Sequence, residues 1–160
     1  MELEFDVQIT KKDLYEYQTF HAYSTPSTLI GTTVGCLLVI GFLHTGTHLL
    51  LLAGIFAIIY MPWTLHIKSG MQAASPAFKD PFHYKLNEEG LEVSRGEEKQ
   101  LVPWELFTKA TASRKSILLY TSKVNAFIFP RRELGDEINT LVQIISCNMP
   151  TNKVKIRGSI

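Results

Sequence analysis

Histidines, two cysteines and a scatter of cations are the side chains with chemistry to offer in this chain. His44 and His48 stand four apart, the spacing that puts two imidazoles on one helix face for a metal ion. Gly46 between them breaks such a helix, and no carboxylate or third ligand is near, so they read as solvated turn residues and no metal is expected. Cys36 lies inside an apolar run and Cys147 near the end of a late helix; neither has a Cys-x-x-Cys partner, and both read as small apolar filler. Glycine-rich phosphate loops, G-x-S-x-G and H-E-x-x-H are absent. His66 and His83 have no nucleophile or carboxylate partner evident in the sequence. The expectation is a protein that is not an enzyme and carries no cofactor.

Binding is the other chemistry available. Trp104 follows Pro103 at a strand corner and is either a core anchor or a ring for stacking a ligand. Arg114, Lys115 and Lys123 occupy turns, and Arg131 and Arg132 open the last helix. Lys153, Lys155 and Arg157 alternate with Val154 and Ile156 in the tail. Gathered on one face beside a bilayer, each cation gains about 1 kcal/mol from anionic lipid; dispersed, they are a solvated surface. Sixteen Lys and Arg against fifteen Asp and Glu leave a net charge of +1, so no global basic field invites nucleic acid.

The elements that must position these residues divide sharply. No Asp, Glu, Lys or Arg occurs from Tyr17 to Ile67. Two apolar stretches, 27–43 and 49–67, each suffice to cross most or all of a hydrocarbon core of about 30 Å. The short His44–His48 connection makes them a transmembrane hairpin. Tyr15, Tyr17, Phe20 and Tyr23 precede the first span and Tyr60 and Trp63 close the second, where amphipathic rings favour the membrane interface. Lys11 and Lys12 lie before the hairpin and Lys68, Lys79 and Lys85 after it, which puts both termini in the cytoplasm. Ser27, Gly31 and Gly35 form a small-residue stripe, matched by Ala53 and Ala57 on the second span. Such a stripe serves packing within the hairpin, or a homo-oligomer or membrane partner.

Outside the hairpin the pattern is that of a sheet. Leu3, Phe5, Val7 and Ile9 alternate with polar residues, predicting a strand with one buried face. Thr10 with Asp13 reads as a capping box that starts a helix running along or into the membrane surface to about Tyr23. Residues 68–80 read as a helix extension and linker ending at Pro76. From Pro81, short strands and turn signals alternate up to Pro130, followed by a helix whose apolar face is Leu134, Ile138, Leu141, Val142 and Ile145. With the N-terminal strand the count is about seven. The fold class is an α+β membrane protein: a two-helix hairpin plus a small antiparallel barrel or sheet of pleckstrin-homology type, closed by a C-terminal amphipathic helix. The hairpin is then an insertion between the first strand and the rest of its sheet. The division is 1–26 for the N-terminal strand and interfacial helix, 27–67 for the hairpin, 68–80 for the linker, 81–148 for the cytoplasmic domain and 149–160 for a basic tail.

The blocks HYKLNEEGLEVSRGEE, VPWELF and SILLYTSKVNAFIFPRREL after a two-span hairpin resemble the YcxB-like family of bacterial membrane proteins. The resemblance is strongest from Phe82 to Leu134. It implies a cytoplasmic domain of pleckstrin-homology type on a membrane anchor and brings no activity or catalytic residues. Gly135 departs from it, standing where an N-capping Ser or similar residue is expected for the last helix. The expected role is that of a multi-pass protein of the bacterial inner membrane whose barrel binds a protein partner or self-associates. Alternatives are a sensor of anionic lipid surfaces, or an immunity or stress protein acting through its spans.

Overall fold

The computed structural model describes residues 2–96 and 98–156, with Ser27 described in its backbone alone. Arg157 and the side chain of Ser27 therefore lie outside what is described. The chain begins with strand β1 (Leu3–Val7) and helices α1 (Lys11–Tyr23), α2 (Pro26–Thr45) and α3 (His48–Ala73). Strands β2 (Phe82–Leu86), β3 (Gly90–Arg95) and β4 (Glu98–Pro103) follow, then β5 (Lys109–Ala112), β6 (Ser116–Tyr120) and β7 (Ala126–Pro130). A one-turn helix α4 (Arg131–Leu134), helix α5 (Ile138–Asn148) and strand β8 (Val154–Lys155) complete it.

The strands form two four-stranded sheets, ordered β1-β2-β3-β4 and β7-β6-β5-β8. Neither closes into the expected barrel. The chain leaves β4 through a 3-10 turn at Trp104–Leu106, and the free side of β5 is taken by β8, which pairs parallel to it. The N-terminal strand does join the sheet that follows the hairpin: β1 pairs antiparallel with β2, from Leu3 opposite Leu86 to Val7 opposite Phe82. The chain segments entering and leaving the hairpin are thus hydrogen-bonded to each other, and both feet of the hairpin stand on one side.

Alternation explains the core. Leu3, Phe5 and Val7 point inward from β1, while Glu4 and Asp6 point out. An aromatic layer joins the two sheets: Tyr84 meets Phe129 edge-on at 5.1 Å, Phe5 meets Phe129 at 5.8 Å, and Phe107 meets Phe127 at 6.1 Å. Tilted and edge-on rings of this kind add about 0.5–1.5 kcal/mol per pair beyond their burial. Leu141, Ile144 and Ile145 of α5 cover the assembly. The last helix does not run unbroken from Pro130. Gly135 has φ of +49°, a conformation L side chains rarely adopt, and it separates α4 from α5.

Helices α2 and α3 stand largely bare. Leu37, Ile40, Leu43, Leu52, Phe56 and Trp63 are all exposed. Both helices are long and apolar enough to span a membrane, at about 30 and 39 Å by helical rise. Their threonines are reconciled with an apolar setting by donating back to the helix: Thr32 to Thr28 O at 3.1 Å, Thr33 to Leu29 O at 2.9 Å, Thr45 to Gly41 O at 2.9 Å. Gly46, at φ +71°, caps α2, and α3 begins two residues later, so His44 and His48 lie on different helices.

The small-residue stripe is only partly the helix contact. A Cβ on Gly35 would meet Ile58 at 2.8 Å and Ala57 at 3.2 Å, and one on Gly54 would lie 2.8 Å from the Gly35 carbonyl oxygen. Gly31 has nothing within 4 Å of that position, and Ala53 is exposed. The crossing is therefore Gly35 against Gly54 and Ala57, and Gly31 takes no part in it.

His83 proves to have carboxylate partners. Its Nδ1 lies 2.7 Å from Asp6 Oδ1 and its Nε2 2.8 Å from Glu4 Oε1, across the β1–β2 pair. Only an imidazolium donates from both nitrogens. The Asp6 bond, opposed by desolvation and reinforced by Glu4, raises the His83 pKa above its ordinary 6.5.

Two outcomes follow from these contacts. Gly54→Ala should cost about 1–3 kcal/mol of hairpin stability in a denaturant titration in detergent, whereas Gly31→Ala should change it by less than about 0.5 kcal/mol. The His83 clamp contributes its full stability below about pH 6.5 and loses it as pH rises through the elevated folded pKa. Hydrogen exchange of the β1 amides, corrected for intrinsic rates, should show less protection at pH 8 than at pH 6, and His83→Gln should abolish the difference.

Candidate functional site

Helix α1 organises the polar residues. Thr10 caps it: Asp13 Oδ2 accepts from the Thr10 backbone N–H at 2.8 Å and from its hydroxyl at 2.6 Å. Arg132, from α4, adds a two-pronged pair, its Nη1 to Asp13 Oδ1 and its Nη2 to Oδ2 at 2.9 Å. The same Nη2 donates to Gln8 O at 2.9 Å. Asp13 is buried, which by itself pushes its pKa up; the bonds from Arg132 and Thr10 outweigh that and hold it below the ordinary 3.8.

Along the helix, Glu16 grips the β5–β6 turn. It accepts from Ser113 Oγ at 2.8 Å, Lys115 N at 3.0 Å and Ser116 Oγ at 3.1 Å. Tyr17 donates to Val124 O in the β6–β7 turn. On the opposite side α1 meets α3: Lys11 Nζ lies 3.0 Å from His66 Nε2, the Tyr15 and His66 rings meet edge-on, and Gln18 donates to Gln72 at 2.8 Å. The helix is thus packed between α3 and the second sheet; protein, rather than a membrane surface alone, covers it.

This arrangement sorts the sequence candidates. Trp104 is a core anchor: it is 7% exposed, its Nε1 donates to Asn87 O at 2.9 Å, and its ring packs 5.6 Å from Phe107. It offers no face to a ligand. Arg132 is consumed by Asp13. Arg131 is half-buried, with its backbone N–H donating to Lys115 O at 2.8 Å. In the tail, Lys153 donates to Phe107 O at 3.0 Å, and Val154 and Lys155 extend the second sheet as β8, so this segment is a strand before it is a basic tail. Cys36 and Cys147 are free and exposed, not filler.

Arg114, Lys115 and Lys123 are exposed, and two clefts use them on either side of Phe20, which lines both. One, of about 400 Å³, brings Arg114 and Lys115 together with Lys12 and Glu16. The other, of about 480 Å³, brings Lys123 together with Lys109, His21, Ser24 and Thr25. Sequence reasoning missed Lys109 as a binding candidate and Glu16 as a clamp. Lys109 is the exposed residue that opens β5, ahead of the buried Ala110 and Thr111; Glu16 reaches partners about a hundred residues away, which no local pattern reveals. Tyr120, beside the second cleft, has its phenol pushed up to about 12 by burial and by Tyr17. A separate apolar cavity of about 230 Å³ lies between the sheets, walled by Phe82, Tyr84, Phe127 and Tyr17.

Residues 86–145 match the YcxB family model, described as YcxB-like protein. The match runs from the last residue of β2 into α5 and bears out the resemblance seen in the sequence over that stretch. A YcxB-like domain therefore occupies this part of the chain, while β1, α1, the hairpin and β8 lie outside the match. No curated protein and no solved structure matches the chain.

Arg132→Leu should leave the buried Asp13 carboxylate without its cation and cost about 2 kcal/mol. Since Asp13 is depressed on folding, its contribution stands above about pH 3.8 and is lost as pH falls through the lower folded pKa. A thermal unfolding series across pH 3–6 should slope less steeply for Asp13→Asn than for the parent.

Proposed function

We propose that this chain is a non-enzymatic membrane protein in which α2 and α3 cross the bilayer and the YcxB-like domain is held at its cytoplasmic face to bind a protein partner or a second copy. The observation that carries this reading is the double attachment of α1, to α3 through Lys11, Tyr15 and Gln18, and to α4 and the turns of the second sheet through Asp13, Glu16 and Tyr17. A domain fastened at the foot of its anchor keeps one orientation toward the membrane. Weak contacts then suffice, because confinement to a surface raises effective concentration. The bare apolar sides of α2 and α3 favour lipid as their surroundings, and the cations flanking the hairpin favour the cytoplasm for both feet.

A contact surface that the fold leaves open is the edge strand β4, whose Leu101 is 45% exposed and which, among the described residues, pairs on one side alone. Among the described residues no catalytic constellation supports an enzymatic reading: the cavity between the sheets is walled mainly by aromatic and aliphatic side chains, and desolvation raises the buried Tyr84 phenol above its ordinary pKa. A second reading, recognition of anionic lipid, has its own support in the basic cleft beside Phe20 that holds Lys109 and Lys123.

The protein should stay in the membrane pellet after alkaline carbonate extraction, and tags at the two ends should both be protected in spheroplasts and exposed in inverted vesicles. Release into the supernatant, or tags on opposite sides, would overturn the membrane reading. A photo-cross-linker replacing Leu101 should trap a discrete dimer or heterocomplex in intact cells; only monomer from every β4 position would remove the partner reading.

A further inference from the structure

We propose that the cleft formed by His21, Ser24 and Thr25 with Lys109, Ser122 and Lys123 binds the phosphate of an anionic glycerophospholipid headgroup. The inference deepens the lipid reading above and rests on α2 and α3 being in the bilayer. Its first ground is position. Ser24 and Thr25 are the two residues immediately before Pro26, where α2 begins, so the cleft opens at the foot of the first span. At that depth a bilayer presents its headgroup layer.

The second ground is the donor set. Lys109 and Lys123 both line the cleft, and among the described residues no carboxylate does and neither ammonium belongs to an ion pair. Lys109 Nζ sits 5.8 Å from the centre of the Tyr120 ring. Ser122 Oγ accepts from the backbone N–H groups of Asn125 at 3.0 Å and Val124 at 3.3 Å, so its proton is free to be donated. Among the described residues His21 makes ring contacts alone, with Tyr17 at 6.2 Å and Tyr120 at 6.4 Å, and its ring nitrogens have no hydrogen-bond partner there. Two cations, a hydroxyl proton and an imidazole around a space without a competing carboxylate among the described residues suit a phosphodiester. The walls are ring bodies, Phe20 and Tyr120, which suit the glycerol and first acyl carbons above the phosphate.

The neighbouring cleft is the natural control. It holds Lys12, Arg114 and Lys115, but Glu16 lies within it, and its carboxylate is satisfied by uncharged donors alone. Its negative charge opposes an anionic ligand there.

The test uses the full chain in a neutral detergent and native mass spectrometry. The probes are dioctanoyl phosphatidylglycerol, dioctanoyl phosphatidylcholine and inorganic phosphate. The anionic lipid should be retained in preference to the other two. Lys109→Gln with Lys123→Gln should weaken it about 25-fold, at about fivefold per lysine, with an unchanged melting temperature. Lys12→Gln with Arg114→Gln should leave retention as in the parent. Equal retention of the zwitterionic lipid overturns the proposal, as does undiminished binding by the first double variant or an equal loss in the second. Inorganic phosphate bound as tightly as the lipid would make this a free-anion site and overturn the lipid assignment. The short-chain probe needs no bilayer, so failure here is failure of the cleft, whereas failure of the membrane reading appears in carbonate extraction.

Discussion

A single buried carboxylate governs how the parts of this protein meet. Asp13 closes the capping box of α1 with Thr10 and at the same time receives the fork of Arg132. One group thereby fixes the start of the helix that follows β1 and binds it to the element that follows β7. Removing a carboxylate of this kind from water is costly unless every oxygen is engaged. Here both oxygens are, with the Arg132 fork reaching Gln8 O as well. The position of α1 is therefore strongly determined, and α1 determines what lies on either side of it.

On one side is the hairpin and on the other the sheets. The chain does not join them by a loose tether; it threads β1 into a sheet, leaves through α1 and the hairpin, and returns to pair β2 with β1. Sheet pairing and the α1 contacts oppose independent motion of the two halves. The membrane reading gives this rigidity a use, since a domain held in one attitude presents the same cleft and the same sheet edge to the bilayer and to partners at every encounter. The glycine contact between α2 and α3 continues the logic into the apolar part, where Gly35 and Gly54 let two backbones approach with no side chain between them.

Local patterns disclosed the elements and misjudged how they associate. The alternation of Leu3, Phe5, Val7 and Ile9, the Thr10–Asp13 box and the break at Gly46 each depend on neighbours in the chain and were all legible. The barrel was not, because whether β5 pairs with β4 or with β8 depends on a 3-10 turn at Trp104 and on a two-residue strand too short to show a period. Arg132 read as a surface cation because nothing near it in sequence reveals Asp13 at its tip. His83 read as isolated for the same reason, its carboxylates arriving from β1. Gly54 escaped notice because attention to a four-residue spacing favoured Ala53, one position away on the wrong face. Lys123 did fall at a cleft, and Lys109 completed it from the opening of another strand.

The pairing of β1 with β2 also bears on how the molecule is made. A ribosome releases β1 about 75 residues before its partner strand, which at ordinary synthesis rates is a delay of roughly 4–15 s. Throughout that interval Leu3, Phe5 and Val7 have no sheet to enter, and the two greasiest helices of the chain are being delivered. The first sheet is therefore a late product of biogenesis, assembled only after α2 and α3 have been synthesised, and nascent β1 is the stretch that a chaperone has reason to shield.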